Sequence, residues 1–125
     1  MGFTKTTLEP GNGVDFAVPR SQIAMHYTGC LYDASQPNGM GKKFDSSYDR
    51  HSALASPIGV GRLIKGWDEG VPQMTLGEKA ILDISPDFGY GPNGFPPVIP
   101  PNARLVFEVW LVKIGSKNAP GWDGR

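Results

Sequence analysis

The chain has 125 residues and a mass of 13.5 kDa, enough for one domain and too little for two ordinary ones. Lys plus Arg and Asp plus Glu number 12 each. This balance argues against a nucleic-acid partner, because such proteins carry a basic surplus on one face. One cysteine, Cys30, excludes an intrachain disulfide and a thiolate metal cluster. Because no apolar run approaches the ~20 residues of a membrane span, we expect a cytoplasmic protein that does not bind membranes.

Two strands are predicted before residue 33. Residues 3–8 are β-prone and end at a dense turn signal of Pro, Gly and Asn. In residues 22–32 the side chains alternate, so that Tyr27 shares a face with Ile23 and Met25. The second strand is therefore expected to contribute one face to the core.

The middle of the chain predicts a loop, a short strand and the single helix. Residues 33–43 are rich in Ser, Asn, Pro and Gly, which is typical of a long polar loop whose order the sequence leaves open. A short β-prone piece begins at Phe44. Apolar residues then recur at helical spacing around Trp67, between residues 63 and 71. We expect a helix of two or three turns there.

The last third predicts two more strands around a structured loop. Residues 80–84 form a strand, and residues 88–102 carry five prolines and three glycines, which exclude regular structure. Residues 104–114 are predicted to form the longest strand, with Phe107 and Trp110 on opposite faces. Residues 115–125 look like a polar tail.

These elements predict an α+β domain, an antiparallel sheet of about five strands that wraps around one short amphipathic helix. Such a helix must bury its apolar stripe, and one face of the sheet is the only large surface available. We assign residues 1–115 to this domain and residues 116–125 to a polar C-terminal tail.

The sequence lacks the motifs typical of several classes of catalytic and cofactor-binding site. His26 and His51 have no second histidine or cysteine at metal-ligand spacing, so no metal site is expected. The hydroxyls of Ser46 and Ser47 lack the glycine-flanked elbow of a hydrolase nucleophile. No phosphate-binding or dinucleotide loop is complete. We therefore expect no cofactor.

Blocks of residues in a fixed order carry a family resemblance that spans roughly residues 2–114. They are His26-Tyr27-Thr28-Gly29, Lys43-Phe44-Asp45-Ser46-Ser47-Tyr48-Asp49-Arg50, Leu63-Ile64-Lys65-Gly66-Trp67-Asp68-Glu69-Gly70-Val71, Ile84-Ser85-Pro86-Asp87-Phe88-Gly89-Tyr90-Gly91, Val98-Ile99-Pro100-Pro101-Asn102-Ala103 and Leu105-Val106-Phe107-Glu108-Val109. In this order the blocks resemble the FKBP family, the immunophilins that bind tacrolimus and rapamycin. The resemblance implies a twisted five-stranded sheet around a short helix and peptidyl-prolyl cis-trans isomerase activity without a cofactor.

The resemblance also implies a site in an apolar pocket between helix and sheet. The residues carried over as catalytic are Asp45, Tyr27, Tyr90 and Phe107. Those carried over as ligand-binding are Phe44, Arg50, Leu54, Leu63, Ile64, Trp67, Phe95 and Ile99. Trp67 is expected at the pocket floor, Arg50 is expected to position Asp45 and a tyrosine hydroxyl, and Phe95 is expected to overhang the mouth. Leu54 and Phe95 depart from the residues common in the family.

Plainer interpretations of these residues remain open. Trp67, Phe44 and Phe107 fit ordinary core positions, and Asp45 fits a turn in which its carboxylate bonds its own backbone. His26 is expected to be a hydrogen-bonded structural histidine. The alternative function is a protein-docking immunophilin module whose isomerase activity is incidental.

Partners follow from the resemblance and from two local features. The resemblance implies prolyl peptide or protein substrates, macrolide ligands, and drug-dependent binding to calcineurin or the TOR kinase. An exposed X-Pro unit at Phe95-Pro96-Pro97 suggests a monomer with weak self-association through a neighbour's pocket. Val106 and Trp110, with Ile81, suggest an apolar contact patch on the opposite face of the sheet, as a chaperone would need.

Overall fold

The computed structural model describes residues 2–125 and contains a twisted antiparallel sheet packed on one helix. The seven strands and the helix are β1 (Phe3–Glu9), β2 (Gln22–Tyr32), β3 (Met40–Ser46), β4 (Leu54–Pro57), α1 (Lys65–Gly70), β5 (Lys79–Ile84), β6 (Leu105–Ile114) and β7 (Lys117–Asn118). The predicted fold class is confirmed. The strand number exceeds the prediction because β4 and β7 are short additions of four and two residues. No helix in this part of the chain is long and apolar enough to cross a membrane.

The strand order in the sheet is β1-β5-β6-β2-β3. Strand β2 pairs with both β3 and β4 along one of its edges. The end of β2 pairs with β3 from Thr28 onward, whereas its first four residues pair with β4. The chain therefore leaves the sheet after Ser46 and returns at Leu54. This excursion brings the segment after β3 back beside the middle of β2.

The core lies between the inner face of the sheet and α1. Along β6, Leu105, Phe107, Val109 and Leu111 alternate toward this side and are almost fully buried. The helix is shorter than predicted: it begins after Ile64, ends at Gly70 and continues as a 3₁₀ turn. Its buried Trp67 joins the inner face of the sheet in one hydrophobic cluster.

The opposite face of the sheet is covered, so the hypothesis of an exposed apolar patch there is wrong. Val106 and Ile81 are buried, and Trp110 is half-buried. The sequence predicts a polar tail over residues 116–125. In the structure β7 pairs with the end of β6, and the buried Ala119 donates its amide to the Val112 carbonyl at 2.7 Å. This C-terminal segment packs back onto the sheet instead of extending into solvent.

His26 lies beneath the same segment. Its Nε2 lies 2.5 Å from the Arg125 carbonyl oxygen and its Nδ1 lies 2.8 Å from Ser47 Oγ. Since a carbonyl only accepts, Nε2 donates to it, and Nδ1 shares a hydrogen bond with the serine hydroxyl. Both ring nitrogens are thus occupied, as expected for a structural histidine.

The polar loop after β2 is ordered and shorter than predicted. Asp33 Oδ1 accepts hydrogen bonds from the Ser35 amide and hydroxyl at 3.0 and 2.7 Å, and the Asp33 amide donates to the Gly39 carbonyl at 2.9 Å. Strand β3 begins at Met40, four residues before Phe44. Register shifts in the β2–β3 ladder allow this polar stretch to pair.

Candidate active site

Four aromatic rings from four different elements meet at the helix–sheet boundary. We call Tyr27 (β2), Phe44 (β3), Trp67 (α1) and Phe107 (β6) the four-ring cluster. The Phe107 ring lies 4.9 Å from Trp67, 5.6 Å from Phe44 and 6.2 Å from Tyr27, centroid to centroid, and Tyr27 lies 4.8 Å from Trp67. All four pairs are edge-to-face, the arrangement that aromatic quadrupoles favour. Sequence reasoning predicted this set, and the structure brings it together.

A glycine that sequence reasoning did not single out makes this packing possible. Gly29 lies opposite Phe107 in the β2–β6 ladder. A Cβ at Gly29 would lie 2.6 Å from Phe107 Cε1 and 2.8 Å from Phe44 Cζ, well inside van der Waals contact. Glycine inside a strand marks a close approach of this kind, and that signal alone could have identified the position.

Burial of the polar indole N–H of Trp67 costs free energy. Its indole Nε1 is buried and has no hydrogen-bond partner within residues 2–125. A buried unsatisfied donor costs about 1–3 kcal/mol, which phenylalanine at this position would avoid.

Three polar side chains close a triangle at the edge of the four-ring cluster. The Tyr27 hydroxyl donates to Asp45 Oδ2 at 2.6 Å, and Arg50 donates from Nη1 to Asp45 Oδ1 at 2.6 Å and from Nη2 to the Tyr27 hydroxyl at 2.8 Å. The Ser46 amide adds a further bond to Asp45 Oδ1 at 2.8 Å. We call Tyr27, Asp45 and Arg50 the polar triangle. Each member is oriented by the other two.

The polar triangle holds the carboxylate charged and the phenol neutral. Burial by itself raises the pKa of Asp45, but the hydrogen bonds from Tyr27 and Arg50 outweigh burial and leave the pKa below its ordinary value. Burial, followed by the bond to Asp45, raises the pKa of Tyr27 to about 12. Neither group is poised to exchange a proton near neutral pH.

The remaining predicted residues surround the cluster at different depths. Leu54, Leu63 and Ile64 are half-buried and pack on the same core cluster as the rings, whereas Ile99 is almost fully buried in it. Leu54, Leu63 and Ile64 form an apolar border that is more exposed than Tyr27, Trp67 and Phe107.

Tyr90 and Phe95 lie on the long loop between β5 and β6 and contact each other. Their ring centroids are 5.7 Å apart, and Phe95 is 59% exposed. Hydrogen bonds between the backbones of Phe95 and Ile99 close the loop tip. Burial and then the Asp45 charge raise the pKa of Tyr90, so its phenol stays protonated. Phe95 stays in solvent, outside the buried cluster.

The groups at this site do not resemble covalent or metal-dependent catalytic machinery. Within the described chain, no three His, Cys, Asp or Glu side chains converge as metal ligands. Cys30 is buried, and burial raises the pKa of its thiol, which keeps it protonated. What the site offers is an apolar aromatic surface beside a fixed, charged hydrogen-bonding group.

Comparison with known proteins agrees with this geometry. Residues 13–112 match the family described as FKBP-type peptidyl-prolyl cis-trans isomerase. The chain is 57% identical over 119 residues to FK506-binding protein 1A of Aspergillus fumigatus, covering 95% of this chain and 100% of the relative. It is 56% identical over 119 residues to a peptidyl-prolyl cis-trans isomerase of Schizosaccharomyces pombe, with the same coverage. FK506-binding protein 1 of Rhizopus delemar is 54% identical over 114 residues, 91% of this chain and 99% of the relative.

The site is an aromatic cluster without a nucleophile, and the relatives match the chain along most of its length. Together these observations assign the chain to a family. The chain belongs to the FKBP-type peptidyl-prolyl cis-trans isomerase family and is an enzyme of that activity.

Proposed function

We propose that the X-Pro bond is isomerised at the half-buried edge of the four-ring cluster, by desolvation and twisting of the amide. The observation that carries this proposal is the convergence of Tyr27, Trp67 and Phe107 from three elements beside the charged Asp45. The border residues Leu54, Leu63, Ile64 and Ile99 would hold the prolyl ring and its neighbours. Phe95 would overhang the mouth from the loop tip.

The reaction suits such a surface because it breaks no covalent bond. Amide resonance sets the rotational barrier near ~18–20 kcal/mol, and uncatalysed X-Pro isomerisation takes tens to hundreds of seconds. At the perpendicular transition state the C–N double-bond character is lost, and the carbonyl needs less hydration than in the planar amide. A water-excluding aromatic surface therefore disfavours the planar ground state more than the twisted amide.

Desolvation alone does not supply the whole effect. A millionfold acceleration requires about 8 kcal/mol. Selection of a bent prolyl backbone by the rings and a hydrogen bond from the Tyr90 hydroxyl to a substrate carbonyl would add to it. Asp45, held charged by Tyr27 and Arg50, would be a polar group that contacts the bound ligand.

A protease-coupled assay with a short prolyl peptide tests the proposal. We expect Trp67→Leu to lower kcat/KM at least tenfold, because it removes the largest ring from the surface. Leu8→Ala, on the exposed part of β1, is the control and should retain activity. Wild-type kcat/KM in a folded Trp67→Leu protein would refute the location of the site.

We also propose that the same surface receives tacrolimus- and rapamycin-type macrolides. The support is the family and the names of the relatives, two of which are called FK506-binding proteins. Tacrolimus should then inhibit the peptide assay competitively, and the Trp67→Leu variant should lose affinity for the drug. Drug-dependent binding to calcineurin or the TOR kinase extends this proposal, and pull-down with and without each drug tests it.

Self-association through the loop tip is a separate proposal. Phe95, Pro96 and Pro97 are exposed, so this X-Pro unit is accessible to a neighbour's site. Sedimentation at millimolar protein should show weak association that tacrolimus abolishes; a monomer under both conditions would exclude it.

The alternative function, a docking module with incidental activity, is distinguished in cells. An Asp45→Ala variant that loses turnover but keeps the cellular phenotype would favour docking. Cytoplasmic location is proposed because a chain with one buried cysteine suits a reducing compartment, and imaging of a fluorescent fusion tests it.

A further inference from the structure

A single carboxylate holds the connection that leads from β4 into α1. We call residues 58–64 the β4–α1 loop. Asp68, in the first turn of α1 and half-buried, accepts from the Gly59 amide through Oδ1 at 2.9 Å and from the Gly61 amide through Oδ2 at 2.7 Å. Both carboxylate oxygens are thus committed to the backbone of one loop.

The backbone of this loop is shaped for that contact. Gly59 and Gly61 have φ values of +77° and +81°, a region that residues with a Cβ rarely adopt. In this conformation two nearby amides point toward one anion, as in the concave backbone sites that bind phosphate in other proteins. Here a carboxylate of the same chain occupies the concavity, so the loop is held from the helix it precedes.

The same segment supplies one border of the proposed site. Leu63 and Ile64 follow Gly61 after one intervening residue, Arg62, and pack half-buried on the core that contains the rings. The Ile64 carbonyl accepts from the Trp67 and Asp68 amides at 2.9 and 3.0 Å. Asp68 therefore holds the middle of the loop through its side chain, and its own amide joins the loop end to the helix.

We propose that Asp68 is a positioning residue for the isomerase. Its carboxylate keeps the β4–α1 loop in the conformation that sets Leu63 and Ile64 against the four-ring cluster. The inference rests on the proposed location of the site. The hydrogen bonds of the Asp68 side chain within the described residues go to the Gly59 and Gly61 amides, so it acts through the loop backbone.

This role makes a specific kinetic prediction. Without the carboxylate, the loop samples other conformations, and substrate binds only the fraction with a formed border. If that fraction falls to about one tenth, the apparent dissociation constant rises about tenfold. Because saturating substrate restores the formed loop, kcat stays unchanged and the loss appears in KM.

The experiment compares Asp68→Ala and Asp68→Asn with Glu69→Ala and Trp67→Leu. Glu69 is the adjacent helix residue, and its carboxylate lies 4.0 Å from Lys65 Nζ, away from the loop amides. We expect KM to rise about tenfold in Asp68→Ala and less in Asp68→Asn, which keeps one acceptor oxygen. Amide hydrogen exchange at Gly59 and Gly61 should accelerate in both and slow again with saturating tacrolimus. Glu69→Ala should match the wild type in both measurements.

The outcomes separate this inference from the proposed function. The positioning role is overturned if the KM of Asp68→Ala stays within about twofold of the wild-type value. If Asp68→Ala does not fold, the same criterion applies to Asp68→Asn. A merely structural role would lower the melting temperature and leave KM unchanged, which counts against the proposal. If Trp67→Leu also retains full activity, the proposed location of the site is wrong as well. If Trp67→Leu is impaired and Asp68→Ala is not, the proposed location of the site is supported and Asp68 does not position it.

Discussion

Adding one methyl group at Gly29 should damage the active site more than it damages the fold. A Cβ there would lie 2.6 Å from Phe107 Cε1, whereas ordinary contact begins at 3.4 Å. The Phe107 ring would have to retreat by about 0.8 Å. It is only 2% exposed and has Trp67 4.9 Å away, so the displacement is transmitted to the other rings.

The stability loss can be bounded from these contacts. Inserting a methyl group into a packed core costs about 1–3 kcal/mol, and Gly→Ala recovers about 0.4–1 kcal/mol by restricting the unfolded chain. We expect the free energy of unfolding of Gly29→Ala to fall by about 1–2 kcal/mol. Misplacing a substrate-contacting ring by about 1 Å costs up to about a hundredfold, so kcat/KM should fall between about tenfold and a hundredfold.

Gly41→Ala is the matched control. Its Cβ would meet the Asp33 Cβ and the Leu31 carbonyl oxygen, both at 2.6 Å, in the β2–β3 part of the sheet away from the rings. Urea unfolding and the prolyl peptide assay on both variants separate the effects. Gly41→Ala should lose stability and keep its kcat/KM. Equal activity in the two folded variants, or a Gly29→Ala protein as stable as wild type, would refute the reasoning.

The remaining predictions concern the polar groups and the C-terminal segment. Tyr27→Phe removes the hydroxyl bonded to Asp45 and should lower kcat/KM about fivefold in the peptide assay, the equivalent of about 1 kcal/mol. The pKa of Asp45 is below its ordinary value, so its contribution to stability is present above that ordinary value and is lost as the pH falls through the lower folded pKa. A kcat/KM profile should be flat between about pH 5 and pH 9. Lys5→Met leaves Glu78 buried without the partner that lies at 2.5 Å, so urea unfolding should show a loss of about 2–3 kcal/mol, largely restored by adding Glu78→Gln. Deleting residues 116–125 uncovers the outer face of the sheet and should lower the melting temperature while the peptide assay is unchanged.

The strands could be predicted from the sequence where apolar and polar side chains alternate along a single segment. Alternation in residues 22–32 and 104–114 reproduced β2 and β6 almost to their ends, because a half-buried strand imposes a period of two. The start of β3 at Met40 was not predictable. It depends on register shifts against β2, and such irregularities leave no periodic signal in a polar stretch.

The set of site residues could be predicted from motif order, but their contacts could not. Asp45 and Arg50 meet Tyr27 because Thr28 pairs with Ser46 and the chain then leaves the sheet, a long-range register that single-sequence reasoning does not supply. The partners of Asp68 are backbone amides, which carry no side-chain signature. Likewise, alternation placed Val106 on the outer face of β6 but could not reveal what covers that face.

The site and the core share their largest side chains, which has a consequence for evolution and for mutagenesis. Tyr27, Trp67 and Phe107 are buried core residues and also form the proposed catalytic surface, so substitutions in these rings change stability and turnover together. The border is different, because Leu54 and Ile64 are only half-buried and their truncation removes less core contact. We therefore expect substrate preference to be tunable at the border at small cost in stability, whereas the rings are constrained by both demands at once.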